Sequence, residues 1–278
     1  MPAPNIKFSR QPCLFLYLSP LEIPLAPELQ RAYQEILSPA EVERNARYAT
    51  PALRQRDLQT RALLRCALSL HAPVLPGNWQ FSILSKGKPV ISSHHNDLTA
   101  WQFNISDSEN MAVIAICKGH AVGVDIELST VADELLDSAM IFSLDERTSL
   151  RKLPLNARRH RFLDHWTMKE AYLKACGVGI SIPLNTVALN FEEPGRVFFS
   201  KTSGDQLPDT DWVFMQLDMG DYGKVAVCLE GVVAPITKLA RFVPLRFPPQ
   251  DLDFRLLRHG RSKKSALKNS SQRRGSLE

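Results

Sequence analysis

The order of helical and strand-like segments constrains the fold of this chain more than any other feature. Helical patterns over residues 38–49 and 51–70 are followed by five short strand-like segments within residues 79–127. The same order recurs, with helical patterns over 143–177 and four strand-like segments within 186–229. Groups of strands that follow helices, without strict alternation, predict the α+β class. The recurrence predicts two similar halves.

The residues at the segment ends agree with these boundaries. Residues 38–41 (SPAE) and 143–146 (SLDE) have the S-x-x-E form of a capping box, which begins a helix. Gly177 predicts the end of the second long helix. The apolar residues 14–18 predict an N-terminal strand. A Lys-Gly-His turn at 118–120 predicts a hairpin between the strands on either side of it.

Length and charge suggest how the chain is divided. Its 278 residues, 44% of them hydrophobic, are enough for a large core or two smaller ones. The chain has 34 Lys or Arg residues, of which 11 lie in residues 236–278, and 29 Asp or Glu residues, of which 3 lie there. The net charge of +5 therefore comes from this last segment, while residues 1–235 are slightly acidic. We expect an N-terminal half over 1–118, a C-terminal half over 119–235 and a basic, partly disordered extension over 236–278.

Hydropathy and cysteine usage bear on the compartment. No run approaches the roughly 20 apolar residues that a membrane helix needs, so we expect neither a membrane segment nor a secretory signal. The five cysteines are widely separated and form no C-x-x-C pair. This spacing predicts free thiols in a reducing compartment, and hence a cytoplasmic protein.

Two acidic residues stand at the end of one predicted strand, in the segment GVDIE at 123–127. Because side chains alternate along a strand, Asp125 and Glu127 point to the same face. Two carboxylates on one face repel each other unless a cation lies between them, and oxygen ligands favour Mg²⁺. A solvated strand end is the alternative, and it is the commoner explanation of an isolated D-x-E.

A second pair lies in the segment WTMKEAYLK at 166–174. Glu170 and Lys174 are four residues apart on the predicted helix, so an acid and a base share a face beside the apolar stripe. A surface salt bridge worth only about 0.2–0.5 kcal/mol is the alternative.

Taken together, the two segments resemble the two-part signature of the 4′-phosphopantetheinyl transferases, in particular the larger Sfp-type branch. Further segments fall in the family's order: GKP at 87–89, FNIS at 103–106, F-S-x-x-E at 142–146 and GVGISIPL at 177–184. The resemblance spans roughly residues 38–230.

The resemblance implies a fold of two similar halves, each a long helix packed on a small antiparallel sheet, with the active site between them. It also implies transfer of the phosphopantetheine arm of coenzyme A to a serine of an apo carrier protein, with Mg²⁺ bound. Asp125, Glu127 and Glu170 would hold the Mg²⁺. Glu170 would also accept the serine proton, although a carboxylate against Mg²⁺ is a weak base. Lys174 would stabilise or protonate the departing 3′,5′-ADP phosphate.

Other positions of the family pattern have alternative explanations. Arg56, Lys88 and Ser106 match contacts to coenzyme A phosphates, or else are a solvated helix residue, a turn lysine and a turn serine. Glu146 matches a metal-site position, but its place in a capping box is an equally good explanation. Asp107 stands where relatives usually have histidine, and an ionised carboxylate would repel phosphate.

The implied partner is an acidic, helical acyl or peptidyl carrier protein, which the basic extension would attract. We expect a monomer. Another Mg²⁺-dependent phosphotransferase or nuclease could use the same carboxylates, although no Walker-type glycine loop is present. Nucleic-acid binding through the basic extension is a further alternative. It is the weaker one, because residues 261–274, the most basic part of the extension, contain no aromatic residue for stacking and the acidic motifs would have no role.

Overall fold

The computed structural model describes residues 11–128, 133–179, 182–201, 207–231 and 233–262. The helices are α1 (Pro27–Glu35), α2 (Pro39–Ala46), α3 (Pro51–Ser69), α4 (Leu144–Arg151) and α5 (Leu155–Cys176). The strands up to α4 are β1 (Cys13–Pro20), β2 (Phe81–Ile83), β3 (Pro89–Ile91), β4 (Trp101–Ser108), β5 (Met111–Lys118) and β6 (Val122–Ile126). Those after α5 are β7 (Val187–Asn190), β8 (Phe198–Lys201), β9 (Trp212–Asp218), β10 (Lys224–Glu230), β11 (Ile236–Arg241), β12 (Gln250–Asp251) and β13 (Arg255–Arg261).

Two sheets form the centre of the molecule. One has the strand order β12-β11-β1-β5-β4, and the other has the order β13-β9-β10-β6. All pairs are antiparallel except β1 with β11. Two short hairpins, β2-β3 and β7-β8, lie outside the main sheets. The chain is therefore an α+β protein, as its sequence predicts.

Alternate residues of the central strands pack into different layers. In β5, Val113 and Ala115 face the second sheet, while Ile114 and Ile116 face helix α3. Strands β9 and β10 likewise turn one set of residues to the first sheet and the other set to α5. The order of layers is thus α3, five-stranded sheet, four-stranded sheet, α5. Burial on both faces explains why these strands are almost continuously apolar.

Several local predictions are confirmed. Both capping boxes form, at Ser38 with Glu41 and at Ser143 with Glu146. Gly177 ends α5 with φ 69°, in the left-handed region that glycine adopts without strain. None of the helices in the described part of the chain has the length and apolar character that crossing a membrane requires.

The predicted hairpin at 118–120 is wrong. Strand β5 pairs with β1 and β4, whereas β6 pairs with β10 in the other sheet. The turn carries the chain from one sheet to the next, because β5 is already bonded along both edges. A turn sequence shows that the chain changes direction, but it does not select the strand's partner.

Residues 236–262 belong to both sheets, although we expected an extension outside the two halves. Strand β11 lies parallel to β1, and β13 pairs with β9. On its other side β13 bonds to residues 195–197, with the Val197 amide donating to the His259 carbonyl at 3.0 Å. The predicted disorder near the C-terminus falls on 263–278, outside the described residues.

Candidate active site

Strand β6 runs against helix α5 because residue 123 has no side chain. A Cβ on Gly123 would lie 1.9 Å from the Ala171 carbonyl oxygen and 2.4 Å from the Ala175 amide nitrogen. Those distances are far inside van der Waals contact, so the strand could not approach this closely with any other residue. The first residue of the GVDIE segment therefore sets the distance between β6 and the helix that carries Glu170 and Lys174.

Asp125 lies on the same face of β6 as Gly123, where it meets two side chains. The Lys174 ammonium is 2.5 Å from Asp125 Oδ1, and the Ser106 hydroxyl donates to the same oxygen at 2.8 Å. Lys174 also donates to the Ser106 oxygen at 2.9 Å. Asp125 and Ser106 are buried, and Lys174 is partly exposed. The three residues, which lie far apart in the sequence, form one contact cluster on β4, β6 and α5.

Alternate side chains of β4 join the two sheets. Asn104 accepts a hydrogen bond from the Val124 amide at 3.0 Å, and Ser108 donates to Glu127 at 2.5 Å. Ser106 lies between them and bonds Asp125. The alternation along the FNISDS segment therefore has a structural role, because the alternate residues Asn104, Ser106 and Ser108 hold the acidic end of β6.

Charge and burial oppose each other among the carboxylates. Burial raises the pKa of Asp125, and the nearby Glu127 raises it further, while Lys174 lowers it. Burial also raises the pKa of Glu170; Lys174 opposes this shift, and the charge of Asp125 adds to it. Asp125 is thus close enough to Glu127 and to Glu170 for the negative charges to destabilise each other, and additional positive charge would relieve this.

The fit of these carboxylates to a metal ion is partial. Three oxygen donors suit Mg²⁺ by their chemistry. Across the described ranges, however, no three His, Cys, Asp or Glu side chains are grouped closely enough to hold a metal. The cation that touches Asp125 is the Lys174 ammonium. The residues supply suitable ligands, and an ion would have to displace that ammonium.

Glu146 lies in a different environment. Its Oε2 accepts from the Ser143 amide at 2.8 Å and from Lys169 at 2.7 Å, and its Oε1 accepts from the Leu189 amide at 2.7 Å. His165 Nδ1 lies 3.2 Å from Oε1. Burial favours the neutral acid, but His165 and Lys169 outweigh it and lower the pKa of Glu146 to about 2. The capping interpretation is confirmed, and the metal role stays a prediction.

Lys169, the lysine of the WTMKEAYLK segment, is fully buried and also donates to the Ile141 carbonyl at 2.8 Å. Neither of the two sequence motifs by itself indicates a role for this lysine. Its pairing with Glu146 links the F-S-x-x-E and WTMKEAYLK segments, which otherwise look independent. Its position on the predicted buried face of the helix could have indicated this pairing, because a buried lysine needs a partner for its charge.

The predicted coenzyme A residues are engaged within the protein. Arg56 forms an ion pair with Asp107 at the rim of a cavity of about 300 Å³ between α3 and β4. The Lys88 ammonium donates to the Ala175 carbonyl at 3.0 Å, near the C-terminal end of α5. Burial lowers the pKa of Lys88. Of the predicted phosphate contacts, Ser106 alone touches the Asp125–Lys174 cluster.

Comparison with known proteins identifies the family. A model described as the 4′-phosphopantetheinyl transferase superfamily matches residues 121–228. A putative 4′-phosphopantetheinyl transferase of Synechocystis sp. is 35% identical over 191 residues, which are 68% of this chain and 75% of that protein. The 4′-phosphopantetheinyl transferase HetI of Nostoc sp. is 34% identical over 163 residues, which are 58% of this chain and 68% of HetI.

The chain therefore belongs to the 4′-phosphopantetheinyl transferase superfamily. The 4′-phosphopantetheinyl transferase Sfp of Bacillus subtilis is 27% identical to it over 190 residues, which are 68% of this chain and 80% of Sfp. Within the superfamily, the chain is of the Sfp type.

Proposed function

We propose that this protein transfers the 4′-phosphopantetheine arm of coenzyme A to a serine hydroxyl of an apo carrier protein, with release of 3′,5′-ADP. The contact cluster of Asp125, Ser106 and Lys174 beside Glu170 carries the proposal. It gathers a buried acid, Asp125, a half-buried acid, Glu170, and a base at the junction of the two sheets, where a phosphoryl group needs both alignment and compensation of charge.

The chain's own groups account for the movement of protons and charge. The serine oxygen bonds to the phosphorus that bears pantetheine, and the bond from that phosphorus to the bridging oxygen breaks. Glu170 accepts the hydroxyl proton. Burial raises its pKa, whereas a Mg²⁺ ion held by the same carboxylate would lower it, so the proton would pass through a bound water or leave late in the attack. Lys174 faces the departing 3′,5′-ADP and balances the negative charge that develops on its oxygen.

Asp125, Glu127 and Glu170 would hold Mg²⁺. The bound ion would neutralise oxygen charge on the pyrophosphate. Support comes from the donor chemistry and from the repulsion of Asp125 by Glu127 and Glu170. An ion at Asp125 would leave the Lys174 ammonium available to the leaving phosphate, while the hydrogen bond of Lys174 to Ser106 would keep it nearby.

Coenzyme A phosphates would contact Arg56 and Ser106. The ion pair between Arg56 and Asp107 uses part of the charge that the phosphate needs. Replacement of Asp107 by Asn should therefore lower the KM for coenzyme A several-fold. An unchanged KM would show that this cavity does not bind the phosphate. Lys88 is occupied at the end of α5, so its contact with coenzyme A stays a prediction.

The arrangement as two similar halves, with boundaries near residues 118 and 235, is also part of the proposal. Each half would place one long helix, α3 or α5, on its sheet, with the substrates at the junction. Residues 236–262 would tie the halves together, since β11 joins one sheet and β13 the other. We propose that the protein works as a monomer.

The decisive experiment weighs an apo carrier protein by mass spectrometry after incubation with the protein, coenzyme A and Mg²⁺. We expect a mass gain of one phosphopantetheine, and loss of that gain when EDTA removes the metal. Asp125→Asn and Glu170→Gln should each slow transfer about 100-fold or more. Glu43→Gln changes an exposed acid of α2 and is the matched control.

Two results would contradict the assignment. A fully active double variant, Asp125→Asn with Glu170→Gln, would refute the catalytic role of the carboxylates. Consumption of coenzyme A or of nucleic acid without a gain in carrier mass would instead indicate another phosphotransferase or a nuclease.

A further inference from the structure

A groove follows helix α5 away from the proposed catalytic residues. A cavity of about 210 Å³ begins at Glu127 and passes Thr167 to Asp164 and Lys224. Lys224 also lines a second cavity of about 510 Å³, whose walls include Arg161, Arg255 and Arg258. The two cavities therefore adjoin. We call the wall formed by Arg161, Lys224, Arg255 and Arg258 the basic wall.

The basic wall has more positive charge than its acids neutralise. Arg258, Lys224 and Arg161 lie 3.1, 3.3 and 3.7 Å from one carboxylate, the buried Asp164. Burial lowers the pKa of Arg161, and the neighbouring Arg258 lowers it further, as expected for crowded cations. Arg255 pairs separately with Asp218 at 2.6 Å, and Glu192 is the other acid on the cavity lining.

A role in folding accounts for only part of this cluster. Arg161 and Arg258 stack on Phe191 at 5.0 and 5.1 Å from its ring centre, which helps to hold β13 against α5. Charged residues often protect an exposed edge strand, but β13 is bonded to β9 on one side and to residues 195–197 on the other. Arg255 is three-quarters exposed and contributes little to packing.

The position of the basic wall indicates which substrate it meets. Glu170 lies nine positions after Arg161 on α5, which is about 14 Å along the helix. The pantetheine arm is uncharged, so it has no use for four cations. The proposed phosphate contacts of coenzyme A, Arg56 and Ser106, lie on α3 and β4, away from this wall. An acidic macromolecule that delivers its serine to Glu170 fits the observed charge.

We propose that the basic wall docks the acidic surface of the apo carrier protein, with strand β13 supplying two of its four cations. The proposal rests on the proposed transferase function. It gives residues 255–261, which lie beyond the family match at 121–228, a role in selecting the partner. Charge complementarity of this kind speeds association and makes it dependent on salt.

The test compares two charge reversals in the full-length protein, with an acidic apo acyl carrier protein as the probe. Arg255→Glu changes the basic wall. Arg47→Glu on the far side of the molecule is the matched control, because the Arg47 side chain is 73% exposed against 75% for Arg255 and each forms a 2.6 Å ion pair. Lys224→Gln gives a second change within the wall, should Arg255→Glu disturb β13.

We expect Arg255→Glu to raise the KM for the carrier about five-fold or more at low salt, with kcat and the KM for coenzyme A unchanged. Lys224→Gln should shift the same constant in the same direction, and raising the salt concentration should erase both differences. Equal carrier KM values for Arg255→Glu, Lys224→Gln and Arg47→Glu would overturn the proposal. A rise in the KM for coenzyme A alone would also overturn it. Failure of the unmodified protein to load any carrier would instead refute the proposed function.

Discussion

The buried ion pair between Glu146 and Lys169 allows a direct test of what Glu146 does. Lys169 is completely buried and Glu146 is 4% exposed, with 2.7 Å between the ammonium nitrogen and Oε2. Glu146→Gln keeps the size and the capping geometry but leaves the ammonium without a counter-charge. Removal of one partner from such a pair costs about 3–5 kcal/mol.

The expected loss is large enough to measure easily. For a chain of this size, each kcal/mol corresponds to roughly 2–4 °C in Tm, so Glu146→Gln should lower Tm by about 10 °C. Lys169→Met should cost a similar amount. The double variant should lose much less unfolding free energy than the two single variants together, and the difference, which is the coupling energy of the pair, should be about 2 kcal/mol or more. Urea denaturation of the four proteins gives this cycle directly.

A control and a clear contrary result complete the test. Asp145 lies in the same helical turn but is exposed, so Asp145→Asn should cost only a few tenths of a kcal/mol. If the free energy of unfolding of Glu146→Gln lies within about 1 kcal/mol of that of the unmodified protein, the ion pair does not stabilise the fold. If that variant also binds Mg²⁺ more weakly, Glu146 is a metal ligand and our structural assignment is wrong.

Three further predictions concern the fold and its pH dependence. Gly123→Ala should lower the free energy of unfolding by at least about 2 kcal/mol and abolish transfer, because the added Cβ would meet the backbone of α5. Gly77→Ala is the control in thermal unfolding, and it should be tolerated because the nearest atom to its Cβ would be 3.8 Å away. Gly260→Ala should be comparably destabilising, because its Cβ would lie 1.8 Å from the Val197 carbonyl oxygen, and a normal Tm would show that β13 is dispensable. The pKa of Glu146 falls from 4.5 to about 2 on folding, so its contribution of about 3 kcal/mol should be complete above pH 4.5 and lost as the pH falls toward 2. Urea midpoints between pH 7 and 3 should show this slope in the unmodified protein, and an equal slope in Glu146→Gln would contradict it.

The sequence could predict the features that depend on neighbouring residues. The S-x-x-E boxes at Ser38 and Ser143 cap helices because their hydrogen bonds span only three residues. The period of two turned Asp125 and Glu127 to one face, and both accept hydrogen bonds from serines of β4. The family resemblance came mainly from two short segments, GVDIE and WTMKEAYLK. Within each segment the characteristic residues are only a few positions apart, so the sequence alone displays them.

Features that depend on distant partners could not be predicted in this way. The Lys-Gly-His turn at 118–120 looked like a hairpin, but the sheet that β6 joins is decided by its packing on α5 and β10. Residues 236–262 looked like a basic extension, because composition does not show that β11 fits beside β1. Lys169 had no assigned role until the fold brought Glu146 to it.

Taken alone, the sequence determined the α+β class, the capped helix starts at Ser38 and Ser143 and the family, and it predicted which residues the chemistry requires. The tertiary structure decided which of those residues meet: Asp125 with Lys174 and Ser106, Arg56 with Asp107, and Lys88 with the end of α5. The physical reason is range. Caps and strand alternation follow from bonds between residues a few positions apart, whereas charge compensation joins residues from two or three separate elements, and folding alone brings these together.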